Sequence, residues 1–190
     1  MCYTITEEFQ DSVVGATRML PWNIVKKVID EASELGVYSM LFSWRGESTL
    51  YRVKDEDGNT KSFADVIRYA NEKNIMETSC LTHGQLIDEK LAEILVNSKL
   101  SWINYSIDGL ENEYNKIRTP RNKKNDKSFN AFRVVTESIK TLTKVKKRLN
   151  SQTPQLRTNS IFPSIYKNPR EFADYMYSKG VNWVTVNEIL

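Results

Sequence analysis

The chain has 190 residues, 40% of them hydrophobic and 27% charged, with a formal net charge of +3. That is enough length and apolar content for one domain with a sizeable core. The small charge argues against nucleic acid or an anionic membrane as a partner. No apolar run is long enough to cross a bilayer, and the N-terminus lacks a signal-peptide pattern, so a cytoplasmic protein is expected. Two cysteines, Cys2 and Cys80, make no disulfide framework, and a single histidine, His83, excludes the usual zinc motifs.

In chain order, the first 19 residues are polar and irregular. Pro21 suits the first turn of a helix, since its missing N–H is no loss there. Ile24, Val25, Val28, Ile29, Ala32 and Leu35 recur at helical spacing, and Gly36 ends the run. Val37 to Phe42 reads as a buried strand that runs into Ser43-Trp44-Arg45-Gly46-Glu47. Arg52 to Lys61, around Asp57-Gly58-Asn59, reads as a solvated excursion, because its acids are out of register for an EF-hand. Ser62 caps a second helix with Asp65 three residues on, followed by a strand from Ile75 to Leu81 that ends in Thr82-His83-Gly84. Asp88 caps a third helix, with Leu91, Ile94 and Leu95 as its stripe. Trp102 to Gly109 is a strand ending in Ser106-Ile107-Asp108-Gly109. The segment from Leu110 to Lys127 is mostly polar, and its basic stretch from Arg118 to Lys127 reads as a solvated loop rather than as a face for an anionic substrate. Ser128 caps a fourth helix through Phe132, Val135, Ile139, Leu142 and Val145. A strand from Leu156 to Phe162 stops at Pro163, Asn168-Pro169 starts a last helix ending at Gly180, and Val181 to Val186 is the closing strand, with Glu188 beyond it.

Strand and helix in repeated alternation require a parallel sheet with crossover helices. In such folds ligands collect at the carboxyl ends of the strands. Those ends carry Gly46 and Glu47, His83 and Gly84, Ser106, Asp108 and Gly109, Asn159, and Asn187 with Glu188. Taken singly, each has a local reading: a turn glycine, a solvated glutamate, a hydrogen-bonded loop histidine, a packed cysteine at Cys80.

Together these residues resemble the radical S-adenosylmethionine (SAM) enzymes, and most of all the branch that carries a C-terminal SPASM or twitch domain. Ser43-Trp-Arg-Gly-Glu-Ser-Thr-Leu-Tyr51 is similar to the motif after that family's second strand, and Thr82-His-Gly-Gln-Leu86 to the one after its third. Ser106-Ile-Asp-Gly109, Tyr114-Asn-Lys-Ile-Arg118 and Ser128-Phe-Asn130 resemble its fourth-strand block, and Val184-Thr-Val-Asn-Glu188 suits its sixth strand. The resemblance implies an α/β fold: a partial (β/α)6 barrel, here without its first strand, with outer helices around a parallel sheet. It implies reductive cleavage of S-adenosyl-L-methionine at a [4Fe-4S] cluster held by a Cys-x-x-x-Cys-x-x-Cys loop, leading to hydrogen abstraction from a peptide or small-molecule substrate. An electron donor such as a flavodoxin or ferredoxin is implied too. Gly46 and Glu47 would then meet the methionine ammonium, and Ser106 the carboxylate or ribose. Asp108 and Gly109 would shape that strand end, His83 would line the cofactor site, and Arg118 would offer a cation to the carboxylate.

Cys2 matches the last cysteine of the cluster loop, and the two earlier ones are not in the sequence. Arg45, Ser48 and His83 stand where the family commonly has glycine, proline and asparagine. Residues 1–190 are therefore read as one core domain cut at both ends, with no cluster-dependent activity of their own. Two other readings stay open: a non-catalytic β/α domain that binds a nucleotide or a partner, and a β/α lyase using Asp108 and Glu188 as acid and base.

Overall fold

The computed structural model describes residues 19–43, 46–126, 128–165 and 167–187. Helix α1 (Trp22–Glu34) leads into strand β1 (Ser39–Leu41), a 3-10 turn (Ser48–Leu50) and a hairpin of β2 (Arg52–Lys54) and β3 (Thr60–Ser62). Then come α2 (Phe63–Glu72), β4 (Glu77–Thr82), α3 (Glu89–Asn97), β5 (Trp102–Ser106), α4 (Glu111–Arg118) and a 3-10 turn (Arg121–Lys123). The chain continues through α5 (Ala131–Arg148), β6 (Gln155–Ile161), α6 (Phe162–Ile165), α7 (Pro169–Lys179) and β7 (Trp183–Asn187).

Five strands form one sheet in the order β1-β4-β5-β6-β7, and every neighbouring pair is parallel. Successive residues of a strand face opposite sides of the sheet. Cys80, Ile103, Tyr105, Ile107 and Leu156 point to the side where Leu95, Val135, Ile139, Leu142, Phe172 and Met176 of α3, α5 and α7 complete a fully closed core. A second cluster joins Val25 and Ile29 of α1 to Val66 and Ala70 of α2 and to Ile75. The other face of the sheet is mixed, with polar side chains beside Leu41, Leu81, Trp102 and Trp183. Asn104, Arg157 and Trp183 lie in one register layer, and Ser106, Asn159 and Thr185 in the next. An apolar helix-bearing side and a mixed inner side are the pattern of a barrel wall rather than of a sheet covered on both faces.

Helix starts follow local chemistry. Ser62 and Asp65 form the expected capping box at α2, and the Asp88 carboxylate accepts from the Leu91 N–H at 2.8 Å. Asn168 takes the cap position before Pro169, and Gly180 closes α7 at φ 103°. Pro21 sits one position earlier than expected, as the cap residue of α1. The cap of α5 is Asn130, whose Oδ1 accepts from the Arg133 N–H at 2.9 Å; the expected Ser128 instead donates to Asp126 at 2.6 Å.

One expectation for a polar segment is corrected. Arg52 to Lys61 contains an antiparallel hairpin in which Arg52 faces Ser62 and Lys54 faces Thr60. The Asp55 carboxylate closes its turn by accepting from the Asn59 N–H at 2.7 Å. The segment Leu110 to Lys127 also holds a helix not read from the sequence, α4, with acids Glu111 and Glu113 in its first turn and Lys116 and Arg118 in its last, which suits the helix dipole. Among its described residues, the stretch after α4 carries only the 3-10 turn. Among the described residues no helix is long and apolar enough to cross a membrane.

Candidate functional site

Because all five strands of the sheet run the same way, their carboxyl ends share one rim. Gly46 and Glu47 follow β1, and the Glu47 side chain turns inward, with 7% of it exposed. Its Oε1 accepts from Thr49 Oγ1 at 2.7 Å, from the Thr49 N–H at 3.4 Å and from Thr82 Oγ1 at 2.8 Å. Its Oε2 accepts from the His83 N–H at 2.9 Å and lies 3.4 Å from His83 Nε2. The His83 ring is held from the other side, since Nδ1 accepts from the Gln85 N–H at 3.0 Å. Nε2 is thereby left as the nitrogen that carries hydrogen toward Glu47. Glu47 thus clamps the loop after β1 to the end of β4.

Gly46 has φ +79°, and a Cβ built on it would meet no atom within 4 Å. The space on its Cβ side is open. Gly84, at φ +73°, differs: a Cβ there would lie 2.4 Å from the Tyr105 ring. One glycine leaves room, and the other is needed for packing.

On β5, Ser106 is half-buried on the inner face beside Asn159 of β6, and the Asn159 Oδ1 accepts from Asn187 Nδ2 at 2.7 Å. Asp108 is buried. Its Oδ2 accepts from Arg118 Nε at 2.7 Å and from Nη2 at 2.6 Å, and the Ile161 N–H approaches Oδ1 at 3.4 Å. The carboxylate that a lyase reading would use as an acid or base is therefore engaged by a cation. Arg118 and His83 both line an open groove of about 590 Å³ with Leu86, Ile117 and Phe129. Thr82, which sequence reasoning passed over, both donates to Glu47 and accepts from the Gly84 N–H at 2.9 Å.

Cys2 and Glu188 lie outside the described residues, as do Trp44 and Arg45. Cys80 is fully buried on the helix-bearing face, and burial pushes its thiol far above the ordinary range, with the Glu47 carboxylate adding to the effect. A cluster ligand must be an accessible thiolate, so Cys80 does not fit that role. Among the described residues no group of three His, Cys, Asp or Glu side chains is placed to hold a metal. The ligands of an iron-sulfur cluster are thus not among them. SAM fits better: the Gly46 backbone beside open space, the half-buried Ser106 and the Arg118 guanidinium offer the donors and acceptors that an amino acid carboxylate, ammonium and ribose require.

The family model of the Radical SAM superfamily matches residues 1–148. The chain belongs to the radical SAM superfamily. No curated protein matches the sequence. Among solved structures, native anSMEcpe with bound AdoMet is 17% identical with a TM-score of 0.70, over 100% of this chain and 47% of that one. The same enzyme with AdoMet and a Kp18Cys peptide is 16% identical, TM-score 0.63, over 90% and 43%. Streptococcus suis SuiB bound to S-adenosylmethionine is 19% identical, TM-score 0.61, over 89% and 34%. These likenesses bear out the radical SAM partial barrel: the sheet described above is the wall that they share. The chain spans less than half the length of each of these structures.

Proposed function

We propose that this chain is the SAM-binding wall of a radical SAM core, acting with a [4Fe-4S] cluster whose cysteine loop includes Cys2. The observation that carries this reading is the Glu47 clamp beside an open Gly46. It fixes a glycine-bearing loop at the rim where the backbone can approach a ligand. The loop's backbone oxygens meet the methionine ammonium. Glu47, already saturated by Thr49, Thr82 and His83, positions that loop and adds its negative field. Ser106 bonds the carboxylate or ribose. Asp108 orients Arg118 so that the rest of its guanidinium reaches the carboxylate. SAM bound there supplies hydrogen-abstraction chemistry; this chain's residues hold and orient it. The SPASM or twitch branch, and a flavodoxin or ferredoxin as electron donor, are part of the same proposal. A peptide substrate is supported by the Kp18Cys peptide bound together with AdoMet in anSMEcpe.

The sequence holds two cysteines, and Cys80 is buried, so residues 1–190 alone should bind no four-iron cluster and release no 5′-deoxyadenosine. Anaerobic reconstitution with iron and sulfide tests this, run beside a version of the chain extended upstream to complete the Cys-x-x-x-Cys-x-x-Cys loop. The extended chain is expected to show the cluster absorbance and form 5′-deoxyadenosine. In it, Ser106→Ala should weaken SAM binding about tenfold, the worth of one charge-assisted hydrogen bond. Cluster assembly without SAM binding would sink the site; 5′-deoxyadenosine from the short chain would sink the cysteine argument.

A further inference from the structure

On the inner face of the sheet, one layer below Ser106 and Asn159, stand Arg157 and its register partners Asn104 and Trp183. The drop is about 7 Å, two residues along a strand. The Arg157 guanidinium lies 4.4 Å from the centre of the Trp102 ring, and its Nη2 donates to Gln155 Oε1 at 3.1 Å. Stacking and this one bond fix its plane. Its Nε is closed off from solvent and has no hydrogen-bond partner, and the same holds for Asn104 Oδ1 beside it. No carboxylate among the described residues pairs with Arg157. Glu77, on the same face, takes the Ser39 hydroxyl at 2.7 Å and feels Arg157 only through its field. Buried donors and acceptors are costly to leave unmatched, and an inner-face guanidinium without a counter-ion invites an anion.

We propose that Arg157, Asn104 and Trp102 form an anchoring subsite for a substrate carboxylate that has an N–H donor next to it. The guanidinium takes the carboxylate on a fork edge, and the carbonyl of Asn104 accepts the N–H. Arg157 and Asn104 are only half-buried, so breaking the single bond to Gln155 lets the guanidinium turn over the Trp102 ring and gives both unmatched atoms partners in the ligand. Trp183, 63% exposed in the adjoining strand, supplies an apolar wall for the ligand's stem. The pair is a side-chain carboxylate and the N–H of its own residue, as in an acidic residue of a peptide or a free acidic amino acid. Rim and subsite together would hold such a substrate below SAM. Only that placement rests on the proposed SAM site; the subsite itself does not.

The test needs neither SAM nor cluster. The 190-residue chain is titrated with the capped tripeptide Gly-Glu-Gly, its Gly-Gln-Gly counterpart, free glutamate and inorganic phosphate. Binding is followed by the NMR signals of the Arg157 Nε–H and the Trp102 indole N–H. The glutamyl peptide is expected to shift both signals saturably and to bind about tenfold more tightly than the glutaminyl one. Arg157→Lys, which keeps the charge without the fork, is expected to lose about the same factor. Tighter binding of the peptide than of free glutamate assigns a peptide substrate; the reverse assigns a free amino acid. Equal response to Glu and Gln peptides, stronger response to phosphate, or no shift in the folded chain would overturn the subsite. If Arg157→Lys does not fold, the wild-type comparison of the Glu and Gln peptides decides alone. Loss of SAM binding in the extended chain would leave this result untouched, so the two proposals fail separately.

Discussion

Glu47 shows 7% of its side chain and receives hydrogen bonds from two residues of other segments. In Glu47→Gln an amide NH2 must replace one of the two acceptor oxygens, and it then faces donors from Thr49 and Thr82 or from His83. The expected loss is about 1.5–3 kcal/mol of stability, the range for a charged hydrogen-bond partner. Urea unfolding should show a lower midpoint with an unchanged slope; an unchanged midpoint would mean that the clamp is not formed. The two rim glycines separate conformation from packing. Gly46→Ala meets only the cost of a left-handed residue, about 1–2 kcal/mol. Gly84→Ala adds a Cβ 2.4 Å from the Tyr105 ring and 2.9 Å from Val135, so it should cost at least a further 1–3 kcal/mol. The same denaturation series orders them, and equal losses would refute the packing argument. Gly46 and Glu47 were legible in the sequence as a ligand-approach pair. The saturation of Glu47 was not, because it depends on Thr82 and His83, which reach it only through the register of β1 on β4.

Helix α4 is joined to the sheet through Arg118, two of whose nitrogens lie within 2.7 Å of the buried Asp108 carboxylate. Arg118→Gln leaves that carboxylate buried without its cation. A loss of about 1.5–3 kcal/mol is expected, at the lower end because Arg118 is itself 36% exposed. The paired variant with Asp108→Asn should recover part of it, so a double-mutant cycle is the measurement; strict additivity would mean that the pair does not couple. The capping box of α2 adds a pH signature. Burial pushes the Asp65 carboxyl upward, but the Ser62 hydroxyl and N–H, and the Arg68 guanidinium, outweigh it and hold the carboxyl below its ordinary value of 3.8. Its stabilising contribution is therefore whole above that value and is lost as pH falls through the depressed one. Asp65→Asn is expected to lower stability at pH 7 by about 0.5–2 kcal/mol and to flatten the acid limb of stability against pH. An acid limb identical to wild type would refute the assignment. Caps of this kind were readable because they are local. The β2–β3 hairpin and α4 were not, since Arg52 to Lys61 and Glu111 to Arg118 carry few apolar residues, and only Tyr114 of α4 is buried. With so narrow an apolar stripe, periodicity has nothing to register.

At the scale of the whole chain, alternation of strand and helix was enough to give a parallel sheet in sequential order. The rule that such crossovers are right-handed then puts the helices on one side. What periodicity could not give was the polar inner layer of Asn104, Arg157, Ser106 and Asn159, whose chemistry appears only when β5 and β6 are set in register. The two faces make opposite demands on a side chain, and Cys80 reports which demand prevails. It sits mid-strand in β4, second in the sheet, fully buried among Ile103, Leu95 and their neighbours, with its thiol pushed far upward by that burial. A thiol so placed reacts only through opening of the sheet. In a Cys2→Ser variant, labelling of Cys80 by an aromatic disulfide reagent at pH 8 should be about a thousandfold or more slower in the native chain than in urea. That factor follows from even the low end of ordinary domain stabilities, about 5 kcal/mol. Destabilising changes such as Gly84→Ala should accelerate it about tenfold for each 1.4 kcal/mol of stability lost, while Gly46→Ala should accelerate it less. Iron and sulfide added to the same variant should leave its absorbance unchanged, because a thiol on the helix-bearing face cannot meet an ion approaching from the rim. Rapid native labelling, or an iron-sulfur absorbance in that variant, would show that Cys80 is reachable. It would also overturn the division of the sheet into a packed outer face and a binding inner one.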